Sequence, residues 1–83
     1  MTSILDINDT IKQYDISDLV IGLSDNYIND LLIGIVIEHR KLMGFHCYKI
    51  CWALDTTLNP VEGLESEWFK QKELSLFQKA IKI

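Results

Sequence analysis

Proline is almost missing from this chain. It occurs once, and glycine four times, among 83 residues. That scarcity excludes collagen-like repeats and Pro/Gly-rich disorder. A hydrophobic share of 48% excludes the apolar-poor kind of disorder as well. Cysteine is nearly as scarce. Cys47 and Cys51 stand alone, where a secreted domain of this size usually carries roughly four to eight. Two thiols so close together point to a reducing compartment. The longest apolar run, Leu31 to Ile37 with Gly34 counted, has seven residues, and a bilayer-crossing helix needs about 20. The opening MTSILDINDT has no basic start and no long apolar stretch, so it does not read as a signal peptide. The expectation is a cytoplasmic protein with no membrane partner, folded as one compact domain over residues 1–83.

Chemical motifs are missing too. There is no G-x-x-x-x-G-K-[ST], no G-x-G-x-x-G and no H-E-x-x-H. Asp6, Asn8 and Thr10 begin like a calcium loop, but Ile11 and Ser17 stand where the loop needs its Gly and its Glu. On a helix, Cys47 and Cys51 would share a face and offer two thiolates to a metal ion. His46 would point about 100° away, and His39 would lie roughly 10 Å along the axis. Core packing of two small apolar thiols is the simpler reading. No catalytic residue, metal site or cofactor is therefore expected. Basic residues are also too sparse for direct nucleic-acid binding, Arg40-Lys41 being a brief cluster after Glu38.

What is present is apolar spacing. Ile4, Ile7, Ile11 and Tyr14 fall on one helical face of Ser3–Tyr14. Asp15 to Ser24, with Leu19, Val20, Ile21 and Leu23, reads as a short helix capped by Ser17 or, through its Leu-Val-Ile run, as a strand. Ile28, Leu31/Leu32, Ile35, His39 and Leu42 continue a helical stripe, extended by Phe45, Tyr48 and Trp52 past a kink near Gly44. Asp55 to Gly63, with Asn59-Pro60, is a break. Trp68/Phe69, Leu74, Phe77 and Ile81 then fit a terminal amphipathic helix. The expected fold is all-α, a small bundle of three to five helices. The alternative is α+β, with a short sheet from residues 18–23, 31–38 and 45–53. Ile35-Val36-Ile37 and the alternation from His46 to Leu54 support that alternative.

Charge is unevenly spread. Residues 1–30 hold six aspartates and one lysine, a net of −5, and residues 31–83 carry +1, which together give the chain's −4. An acidic face would steer a basic partner, and Tyr and Trp are common anchors at interfaces. The candidate partner-binding residues are Asp15, Asp18, Asp25, Asp30, Tyr27, Trp52 and Trp68. This small, acidic, motif-free profile resembles that of bacterial immunity proteins, antitoxins and phage-encoded inhibitors. No residue motif carries the resemblance, so no functional residue is transferred from it. It implies a non-enzymatic protein-binding module that neutralises a larger basic protein. Competing expectations are a structural homo-oligomer built as a helical dimer, a small subunit of a complex, and a thiol or metal site at Cys47/Cys51.

Overall fold

The computed structural model describes residues 11–24 and 31–81. They form five strands: β1 Leu19–Leu23, β2 Leu31–Leu42, β3 Phe45–Asp55, β4 Glu67–Lys70 and β5 Ser75–Gln78. A 3-10 turn, Gln71–Glu73, links β4 to β5. The strands make one antiparallel sheet in the order β4-β3-β2-β1-β5. No α-helix occurs among the described residues.

The helical bundle is thus overturned. Over its described part, residues 31–52, the long helical stripe expected from Ile28 to Trp52 is the β2–β3 hairpin, and the kink near Gly44 is its two-residue turn, Met43-Gly44. Both turn residues have positive φ, 50° and 86°, as a type I′ turn requires. The terminal helix is replaced by β4, the 3-10 turn and β5. The helix at Ser3–Tyr14 falls mostly outside the described residues, and Lys12 to Tyr14 are not helical. The sheet segments of the α+β alternative coincide with β1, part of β2 and most of β3, but its helices are absent from the described residues. A loop does stand at residues 56–66. The Asp55 carboxylate opens it by accepting the Thr57 and Asn59 N–H groups at 2.9 and 3.0 Å.

Side-chain chemistry explains the outcome. Val20, Ile21, Ile33, Ile35, Val36 and Ile37 are β-branched, which favours a pleated surface. In β3, His46, Tyr48, Ile50 and Trp52 are buried, and the residues between them are half-buried. That period of two fixes the register. Tyr48 opposes His39, Ile50 opposes Val36 and Trp52 opposes Gly34. Gly34 has a steric reason: a Cβ there would lie 2.8 Å from Trp52 Cε3 and collide with Ile50. The core is Val20, Leu32, Val36, Tyr48, Ile50, Trp52 and Leu74, with Tyr14 over one end. Ile33 is also buried, but on the outer face, where it pairs with Ile21 and Leu54.

The sheet must curl. β4 and β5 sit at opposite ends of the strand order, about 19 Å apart if the sheet were flat. Only residues 71–74 join them, a reach of roughly 17 Å. Curling brings β4 back over β1, so that the Ser24 hydroxyl donates to Glu67. It also sets Gly22 against Leu74 and Trp52, where an added Cβ would lie 2.9 Å from Leu74 Cδ2 and 3.1 Å from the Trp52 ring. The result is a partly closed barrel with one packed interior. The remaining seam between β4 and β1 is where the cleft lies.

Candidate functional site

The seam opens as a cleft of about 550 Å³. Ile21, Gly22, Leu23 and Leu31 supply one wall, and Glu67, Trp68 and Phe69 of β4 supply the other, with Glu73 and Ser75 beyond the 3-10 turn. The volume is in the range of ordinary ligand sites. Its lining mixes apolar and aromatic side chains, Ile21, Leu23, Leu31, Trp68 and Phe69, with the polar Glu67, Glu73 and Ser75, and includes no Lys or Arg.

Each acid is held in place. The Trp52 indole N–H donates to Glu67 Oε2 at 2.9 Å, and the Ser24 hydroxyl donates to the same oxygen. Glu73 Oε1 accepts the Lys70 N–H at 2.7 Å. Both carboxylates are therefore positioned by hydrogen bonds at the cleft.

The aromatic wall is braced from both sides. Phe69 packs edge-on to Trp52 at 5.4 Å. On the outer face the Arg40 guanidinium stands 4.2 Å from the centre of the Trp68 ring, a cation–π contact. Trp68 is 36% exposed, enough for its remaining surface to meet a partner.

The sequence-predicted residues separate on this framework. Trp68 lines the cleft. Trp52 is buried beneath it and belongs to the core. Asp18 is fully buried and offers no acidic surface. Its carboxylate accepts the Ala80 N–H at 2.8 Å, the Asp15 N–H at 2.9 Å and the Lys79 ammonium at 3.0 Å. Burial pushes the Asp18 carboxyl up, but these donors outweigh it and hold the group below the usual carboxylate range. Asp15 is half-buried and ion-paired with Lys12 and Lys79, each at 3.4 Å. Both aspartates serve the join between the segment before β1 and the residues after β5. Asp25, Tyr27 and Asp30 lie outside the described residues.

Of the cleft residues only Trp68 was among the candidates, and Leu23, Leu31, Glu67, Phe69 and Glu73 are among those that sequence reasoning missed. Glu67 and Phe69 alternate with Trp68 and Lys70 in the manner of a strand, and that was the available clue.

A second cluster forms at the hairpin end. His39 Nε2 and His46 Nδ1 are 2.7 Å apart, with their rings stacked at 5.0 Å. A helix would have kept these residues apart; the hairpin register brings them together. Burial, with Lys12 and His46 beside it, depresses the His39 pKa. Cys47 and Cys51 are free thiols whose strand positions alternate with the buried His46, Tyr48 and Trp52. They therefore lie on the face opposite the histidines, and no thiol–imidazole pair forms between them.

No family model matches the chain, and neither a curated protein nor a solved structure is significantly similar to it.

Proposed function

We propose that this protein is a non-catalytic binding module that takes a basic protein segment in the cleft between β1, β2 and β4. The observation that carries this reading is the cleft's lining. Apolar and aromatic walls offer area to bury, two fixed carboxylates offer negative charge, and no cation lines the cleft to oppose a Lys or Arg side chain. Aromatic faces beside carboxylates also suit a guanidinium or ammonium group directly. The reducing cytoplasm is the matching location, where Cys47 and Cys51 stay as thiols. The reading stops at binding. The inhibitor or immunity role expected from size and charge has no counterpart in the geometry, and a dimer through packed helices has no helix to use among the described residues.

The test is a titration of the protein with a labelled peptide of alternating Leu and Arg, against its Leu/Glu counterpart. The basic peptide is expected to bind at about 1–100 μM and to weaken as salt rises from about 50 to 300 mM. Glu73→Gln keeps the acceptor for the Lys70 N–H and removes one charge, and Leu23→Asp spoils the exposed apolar rim. Each should weaken binding by about threefold or more. Equal affinity for both peptides, or no effect of either substitution, overturns the reading.

A further inference from the structure

At the other end of β4, a separate recess of about 70 Å³ is lined by Phe45, His46, Lys70, Gln71 and Lys72. No carboxylate lines it. Lys41 sits opposite His46 in the hairpin register and borders the same end of the barrel. The distribution of ion pairs singles this end out. Lys12, Lys49 and Lys79 each have a carboxylate partner. Lys41, Lys70 and Lys72 have none among the described residues. Among the described residues, the lysines without a carboxylate partner thus gather at this end. The nearby acids are committed elsewhere: Glu38 to Lys49 at 3.4 Å, and Glu73 to the Lys70 N–H on the cleft side.

We propose that this recess binds a phosphate-class oxyanion between Lys70 and Lys72, with His46 and Gln71 forming its floor. The volume fits one tetrahedral oxyanion, since a single water occupies about 30 Å³ of liquid. Lys70 and Lys72 flank Gln71 in the sequence and both line the recess, so two cationic side chains border it. Phe45 walls off part of the site from water, and lower local dielectric strengthens the attraction. Gln71 is 3% exposed and anchored by its side chain to the Ile11 carbonyl at 2.6 Å, so the backbone that presents both lysines is fixed before any ligand arrives. This site stands on residues other than the cleft's and does not depend on the reading of the cleft.

The experiment is an amide-shift titration of the isotope-labelled protein with inorganic phosphate, at constant ionic strength set by chloride. Saturable shifts confined to residues 45–46 and 70–72, with Kd near about 1 mM, are expected. Lys70→Gln/Lys72→Gln should weaken binding by about fivefold or more, while Lys49→Gln, away from the recess, leaves it unchanged. Dispersion of the remaining amide signals shows that the double variant is folded. A nucleoside monophosphate and its unphosphorylated nucleoside distinguish the sources. Tighter binding of the monophosphate assigns the site to nucleotide phosphate, and equal binding assigns it to the free anion. Shifts that never saturate, that spread over the surface, or that persist in the double variant overturn the proposal.

Discussion

Trp52 on β3 and Glu67 on β4 share a hydrogen bond of 2.9 Å from the indole N–H to the carboxylate, and Ser24 at the end of β1 donates to the same oxygen. One acid therefore ties both walls of the seam together. Glu67→Ala leaves a buried indole N–H and a buried hydroxyl without their acceptor, and should cost about 1–3 kcal/mol. Glu67→Gln keeps an acceptor oxygen and should cost less than about 1.5 kcal/mol. Urea midpoints compare the two, and a red shift of Trp52 emission in the alanine variant reports opening of the seam.

Asp18 gives the fold an acid-sensitive joint. Its carboxyl is held below the ordinary value, so its contribution to stability is present above about pH 4 and lost as pH falls through the lower folded value. Asp18→Asn should destabilise the protein by about 2–4 kcal/mol at neutral pH. The wild type should lose stability between about pH 4 and pH 2, and the variant should show a flatter acid limb. Thermal midpoints across that range decide the point.

The paired imidazoles set a second, milder limit. The depressed His39 pKa means that folding disfavours its protonated form. The stabilisation is complete above about pH 6.5 and erodes as pH falls below that, by up to about 1.4 kcal/mol per pH unit for one proton. Unfolding midpoints at about pH 7.5 and pH 5.5 should differ in the wild type and nearly coincide in His39→Gln.

The hairpin turn carries avoidable strain. Met43 sits at φ 50° and is 96% exposed, so it holds a left-handed conformation without packing to offset it. Met43→Asn supplies the residue that such turns favour and should add about 0.5–1 kcal/mol of stability. A shift of the urea midpoint with an unchanged slope would verify this.

Part of this architecture could be read from the chain, and the reason for the rest is specific. A gap of four residues is same-face on a helix and same-face on a strand, because four is even and also close to one helical turn. Tyr48 and Trp52, or Cys47 and Cys51, therefore support either reading. The informative positions were the intervening ones. His46, Tyr48, Ile50 and Trp52 alternate without a break, and a helix would have scattered them around its axis. The β-branched run at Ile35–Ile37 pointed the same way. The Met43-Gly44 turn carried no Asn or Asp to announce it, and no local feature of Gln71–Glu73 marked the crossing between sheet edges. The site was obscured for a related cause. The density of aspartates in the first 30 positions suggests an acidic face, yet Asp15 and Asp18 bind Lys79 and the Ala80 N–H after β5. Glu67 and Glu73 became neighbours of β1 only through curling, a consequence of a link too short to cross a flat sheet.

The pairing of β1 with β5 fixes the order in which this barrel can be completed. Leu19 lies opposite Gln78, and Asp18 receives its N–H from Ala80, 62 positions later. The β2–β3 hairpin, with its two-residue turn, can close as soon as both strands leave the ribosome. β1 can then pair only on its β2 side, and its other edge stays open until Ser75–Gln78 emerges. Until then Asp18 has no Lys79 beside it, and Val20 lacks the strand that flanks it. Contacts this far apart in sequence slow folding, and an open strand edge recruits other chains. Synthesis therefore passes through an interval in which β2 and β3 can pair while β1 waits for its second neighbour, and the arrival of Ser75–Gln78 covers that exposed edge.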